Sequence, residues 1–187
     1  IMKQEFTITL FSENHIGILS RITLILTRRQ INIESITASE SAVSGVHMLT
    51  MVVRTTPEMV QKISRQIEKV VDVLKVFVHT SSEIICQEMA LYKVTTRGLM
   101  SGSMIGDIVR KYHATILEVT PEYMVVEKSG TRAEIKELLS LLEPCGVLQF
   151  VSSGRVAVTR QVKELNAYLR EMDEAHRTRK EAVEFYN

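Results

Sequence analysis

The chain has 187 residues, 45% of them hydrophobic, and a formal net charge of +1. That is enough apolar chain for one or two small globular domains, and too balanced a charge for a nucleic-acid footprint. No run of ~20 apolar residues offers a membrane span, no basic-then-apolar leader opens the sequence, and Cys86 and Cys145 make neither a CxxC nor a disulfide framework, so a reducing cytoplasm is expected.

In chain order, Phe6, Ile8 and Leu10 alternate with polar residues as in a half-buried strand. After a turn at Glu13–Gly17, the spacing of Leu19, Ile22, Ile25 and Leu26 predicts a helix over 17–30. Strands follow at 31–39 and 46–54. Thr56 is the expected cap of a helix that carries Pro57 in its first turn and buries Val60, Ile63, Ile67 and Val70. Residues 72–79 read as a strand and 80–84 as a connection. The rhythm then repeats. A strand at 86–96 turns Met89, Leu91 and Val94 inward, and Gly98–Ser103 make a turn. A helix at 104–113 carries Ile105, Ile108 and Val109 on its apolar face, and a hairpin over 114–130 breaks at Pro121 and Glu122. A helix at 131–144 opens with Thr131 and Glu134 as a capping box. Residues 145–159 close the second half as one strand or a hairpin around Ser152–Gly154.

Each half therefore has the order βαββαβ, and the expected class is α+β with two ferredoxin-like domains. The expected boundaries are 2–79, a linker at 80–85, a second domain at 86–160, and a charged helical tail at 161–187. Val162, Leu165, Leu169 and Met172 form the tail's narrow apolar stripe.

The turn before the first helix carries the candidate site. A helix N-terminus leaves amides without intrahelical partners and bears partial positive charge, so it attracts anions. Gly17 has no Cβ and lets a ligand approach the backbone, and Asn14 adds an amide. Asn32, after the helix, could accept from an ammonium group. With Ile18, Leu19 and Ile33 these residues suit a free apolar amino acid. The alternative is equally physical: Asn and Gly are ordinary turn residues, and Asn32 could satisfy a helix C-terminus.

The stretch "SENHIGILSRITLILTRRQINIESI" resembles the opening of the ACT domain in acetohydroxyacid (acetolactate) synthase regulatory subunits, at Glu13, Asn14, Gly17, Leu19, Ser20, Arg21, Arg29, Asn32, Ile33, Glu34 and Ser35. "VVDVLKV", "ILEVTPEYMVVEKSGT" and "SSGRVAVTR" resemble later strands of the family, so the resemblance reaches about Arg160. It implies a non-catalytic regulatory subunit, which activates a catalytic subunit and confers feedback inhibition of valine, leucine and isoleucine biosynthesis. It also implies an ACT-domain homodimer with a branched-chain amino acid, valine first, at its interface. Asn14, Gly17, Ile18 and Leu19 of one chain would face Asn32 and Ile33 of the other. Thiamine diphosphate, Mg and FAD are expected on the catalytic partner and no cofactor on this chain. A free-standing ACT-domain amino-acid sensor with a different partner is the alternative.

Two residues depart from the family pattern. Ile16 stands where Pro or Ser often precedes the glycine, and Gln30 replaces the glycine usual after the helix. A left-handed Gln there would cost about 1 kcal/mol. Elsewhere the chemistry is sparse. Gly98, Gly102 and Gly106 match neither a P-loop nor GxGxxG, the histidines form no HxH or HExxH, and no metal site or catalytic set is expected. Glu118 and Glu122 read as a solvated pair. No nucleic-acid or membrane partner is expected.

Overall fold

The computed structural model describes residues 2–96 and 104–160, together with Tyr168, Arg170, Glu171 and Glu174. These fall into two compact units. One holds the residues up to Ile85 with those from Ala157 on, and the other is Cys86–Val156.

In the first unit β1 (Gln4–Glu13), α1 (Ile18–Thr27), β2 (Ile33–Glu40), β3 (Val46–Thr55), α2 (Pro57–Ile67) and β4 (Val73–His79) follow in turn. The strands make one antiparallel sheet in the order β2-β3-β1-β4. Phe6, Ile8 and Leu10 are buried from β1, beside Ile18, Ile22, Ile25 and Leu26 of α1 and Val60, Ile63 and Ile67 of α2. Each such side chain stabilises the fold by roughly 1.5–3 kcal/mol through removal from water. Leu19 is not part of this face. Ile18 takes its place, because α1 begins one residue after Gly17 and the buried set runs 18, 22, 25, 26. Thr56 caps α2 through its hydroxyl, which accepts from the Met59 amide at 3.3 Å.

The register between β1 and β4 slips between Phe11 and Ser12, passing over Leu74. The Leu74 carbonyl accepts from the Tyr168 hydroxyl at 2.9 Å. Tyr168 thereby joins a second cluster around Phe11, Val43 and Val46. Tyr168, Arg170, Glu171 and Glu174 are helical, whereas the stripe Val162, Leu165, Leu169 and Met172 lies outside the described residues.

The second unit repeats the plan with β5 (Ile84–Thr95), α3 (Met104–Lys111), β6 (Thr115–Val119), β7 (Tyr123–Gly130), α4 (Arg132–Leu142) and β8 (Val147–Ser152), in sheet order β6-β7-β5-β8. A 3₁₀ turn, Glu143–Cys145, ends α4. β5 starts two residues before its expected place, because Ile84 is buried and already strand. β5 buries Ala90, Tyr92 and Val94, while Met89 is exposed and Leu91 half-buried. Met89 and Leu91 cannot share a strand face with Val94, since side chains alternate. Tyr92 decides the phase: its ring lies in the core and its hydroxyl donates to the Ile135 carbonyl at 2.8 Å.

The closing segment is not a hairpin. β8 and then β9 (Val156–Thr159) both pair with β5. The Arg160 amide donates to the Glu83 carbonyl at 2.9 Å, and residues from Ala157 on group with the first unit. Cys86 and Cys145 are free and half-buried. The turn at Gly98–Ser103 lies outside the described residues. Among the described residues no helix is long and apolar enough to cross a membrane.

Candidate functional site

The turn between β1 and α1 is shaped by one glycine. Gly17 has φ 89 and ψ −3, a left-handed conformation that costs an L side chain roughly 1–2 kcal/mol. A Cβ built on Gly17 would meet nothing within 4 Å, so the space beside this backbone is open. Among the described residues no side chain caps α1. The Ile18 amide donates back to the His15 carbonyl at 3.3 Å, and the first helical bond runs from the Arg21 amide to the Gly17 carbonyl at 3.1 Å. The intervening Leu19 and Ser20 amides stand at the positions a helix cannot satisfy itself. Asn14 and Ile16 are exposed, and Leu19 is 43% exposed. The result is an uncapped, positively polarised helix end with two apolar side chains in solvent beside it. A small carboxylate with an aliphatic substituent suits that surface.

The far end of α1 is closed by its own backbone. The Ile31 amide donates to the Leu26 carbonyl at 3.1 Å and the Gln30 amide to the Thr27 carbonyl at 2.9 Å. This is a Schellman motif with Gln30, at φ 54, in the left-handed position that glycine usually takes. Asn32 is therefore not needed to satisfy the helix. It is exposed, and its amide nitrogen donates to Glu34 at 3.5 Å. Ile33 is half-buried at the start of β2.

Asn14 and Asn32 flank opposite ends of α1, whose 10 residues span roughly 15 Å. The sheet register agrees: Val53 of β3 pairs with Phe6 and with Ile33, whereas Glu13 pairs with Val46 at the other end. Within one chain, then, the six residues singled out from sequence lie in two groups, with Asn14, Gly17, Ile18 and Leu19 at one end of the helix and Asn32 and Ile33 at the other. The Ile18 side chain is in the core, so only its backbone faces the turn.

The structure adds residues that sequence spacing did not bring out. Asp72, between α2 and β4, accepts from His15 Nδ1 at 2.9 Å and also pairs with the Arg21 guanidinium. Its backbone carbonyl takes the Glu13 amide at 3.0 Å. The His15 bond, opposed by burial and reinforced by the Arg21 charge, holds the Asp72 carboxyl below its ordinary value. Glu13, His15 and Asp72 place possible ligand atoms within 4.8 Å of one another. Arg21 already supplies Asp72 with a cation, so the set is complete as an ion-pair network. Nothing in the sequence could join His15 to a residue 57 positions away. On the same helix, Arg29 donates to Gln66 of α2 at 2.6 Å.

The other constellations stay modest. Glu118 accepts from the Tyr123 hydroxyl at 3.2 Å at the surface, and the neighbouring carboxylate raises the phenol's pKa. Gly106 lies in α3, while Gly98 and Gly102 fall outside the described residues.

Comparison with known proteins places these features in context. A family model described as "AHAS small subunit-like ACT domain" matches residues 8–75, and one described as "Small subunit of acetolactate synthase" matches 87–161. The acetolactate synthase small subunit of Bacillus subtilis is 34% identical over 164 residues, which are 87% of this chain and 94% of that protein. The protein of the same name from Mycobacterium bovis is 29% identical over 82% of this chain and 91% of its own length. Among solved structures, the acetolactate synthase small subunit of Thermotoga maritima superposes with a TM-score of 0.78 at 27% identity, covering 85% of this chain and 99% of that one.

Proposed function

Because the chain belongs to the family of acetolactate synthase small subunits, we propose that it is an effector-binding regulatory subunit, which activates the catalytic subunit and confers feedback inhibition by a branched-chain amino acid, valine first. The observation that carries this reading is the uncapped end of α1. There a left-handed Gly17 leaves open space, and Leu19 stands exposed beside first-turn amides that no intrahelical carbonyl can reach. Those amides take the carboxylate. Leu19 and Ile16 take the aliphatic side chain. The ammonium goes to the Asn32 carbonyl.

One chain cannot supply all three, since Asn14 and Asn32 lie at opposite ends of α1. A second copy is required, and β2 offers the means. Among the described residues it is the last strand of its sheet, with one edge paired to β3 and the other open to its counterpart. Two first domains joined there in antiparallel fashion bring Asn14, Gly17, Ile18 and Leu19 of one protomer to Asn32 and Ile33 of its partner. Regulation is then linkage: an amino acid that binds one arrangement of the dimer better shifts the whole complex towards it. The reaction, with its thiamine diphosphate, Mg and FAD, belongs in this reading to the catalytic subunit, in the cytoplasm.

Calorimetry with L-valine on the full chain tests the proposal. Asn14→Ala and Asn32→Ala each remove a hydrogen bond to a charged group, and each should weaken binding by about 1–3 kcal/mol. Unchanged affinity in both variants would remove the site from this turn.

A further inference from the structure

We infer that Asp72 is a positioning residue for the effector turn, holding residues 13–17 in the shape that leaves the α1 amides open to a carboxylate. The inference rests on the effector reading above and names a residue outside its contact set.

Asp72 is bonded to this turn at three points. Its backbone carbonyl takes the Glu13 amide at 3.0 Å, where the turn leaves β1. One carboxylate oxygen takes His15 Nδ1 at 2.9 Å, in the middle of the turn. The other takes the Arg21 guanidinium, on the first turn of α1. His15 in turn offers its own carbonyl to the Ile18 amide at 3.3 Å. A path of two hydrogen bonds thus runs from Asp72 through the His15 ring and backbone to the first amide of α1. If His15 moved, Ile18 would be released and the helix end would change shape.

The fold explains how so distant a residue reaches the turn. The β1–β4 register slips at Phe11/Ser12, passing over Leu74, so Ser12 pairs with Val73 and Asp72 comes level with Glu13. The Asp72 side chain is 12% exposed, against 57% for His15 and 46% for Arg21. It is the enclosed centre of the network, and its partners are the outer members. Exposed ion pairs contribute little to global stability because water screens them. Loss of this one should therefore loosen the turn without unfolding the domain.

The test uses the full chain, L-valine calorimetry, amide hydrogen exchange and the thermal midpoint. Asp72→Asn keeps the size of the side chain and removes its charge. It should weaken valine binding about tenfold and speed exchange at the Glu13 and Ile18 amides, with little change in the midpoint. Arg21→Gln should move both readouts the same way by less, and it serves if Asp72→Asn folds poorly. Asn14→Ala should weaken binding and leave exchange untouched, which separates contact from positioning.

Asp72→Asn with wild-type affinity overturns the inference, whatever its exchange. If the wild-type chain binds none of valine, leucine and isoleucine, the effector reading fails instead. Exchange then decides the positioning role alone, and unchanged exchange at Glu13 and Ile18 overturns it.

Discussion

Gln30 and His113 carry the same conformational load in the two halves of the chain. Each has positive φ, 54 and 51 respectively. Each sits in a Schellman motif at the end of its half's first helix. Gln30 and Ile31 donate to Thr27 and Leu26, and His113 and Ala114 donate to Arg110 and Val109. The motif pairs an apolar residue on either side of the left-handed position, Leu26 with Ile31 and Val109 with Ala114. The recurrence shows that backbone geometry, not residue identity, is what the two halves share. Glycine would remove the Cβ strain, offset in part by its greater freedom in the unfolded chain. Gln30→Gly and His113→Gly should each stabilise by about 1 kcal/mol, read as a higher urea midpoint at unchanged slope. A fall in midpoint for Gln30→Gly would mean that the glutamine side chain makes a contribution larger than its strain.

Among the elements, α4 shows most directly how a sequence signal becomes an energy. Thr131 accepts from the Glu134 amide at 3.3 Å, and Glu134 accepts from the Thr131 amide at 2.7 Å, so the reciprocal capping box is complete. The bond from the Thr131 amide, then that from its hydroxyl, holds the Glu134 carboxyl below its ordinary 4.5. A depressed carboxylate stabilises the fold above its unfolded value and loses that contribution as pH falls through the folded one. Thr131→Ala should cost about 1 kcal/mol at neutral pH, and the gap from wild type should narrow below pH 4.5, as urea titrations at pH 7 and 3.5 would reveal. A gap that does not change with pH would assign the cost to the threonine hydroxyl alone.

The same elements show what a sequence can and cannot convey. The caps at Thr56 and Thr131, and Val60, Ile63 and Ile67 in the core of α2, were legible because each is settled within a turn or two of helix, whereas Val70 lies beyond the helix end and is half-buried. The phase of β5 was not. Met89 and Leu91 are as apolar as Ala90 and Tyr92, and only the fit of the Tyr92 ring and hydroxyl beside α4 separates the two faces. Likewise Leu19 fits the helical period but faces solvent, because Gly17's left-handed turn sets where α1 starts. Asp72 was beyond reach for a different reason. Its role depends on a register slip between strands far apart in the chain, and no local pattern encodes that.

At the scale of the whole molecule, the proposed site makes binding and assembly a single equilibrium. Asn14 and Asn32 end the same helix, roughly 15 Å apart, and a valine zwitterion cannot touch both from one chain. Effector bound between two protomers must tighten their association by the factor by which association tightens binding. Two consequences follow, with no assumption about the catalytic partner. L-valine should shift sedimentation of a dilute sample towards dimer, and its apparent affinity should fall as the protein is diluted below its own dimer dissociation constant. Glycine makes a suitable control, since it offers the carboxylate and ammonium but no aliphatic group for Leu19 and Ile16, and its effect should be weaker in both measurements. Valine that binds equally well at every protein concentration, with no change in sedimentation, would place the whole site within one protomer. No arrangement of these two asparagines could then form it.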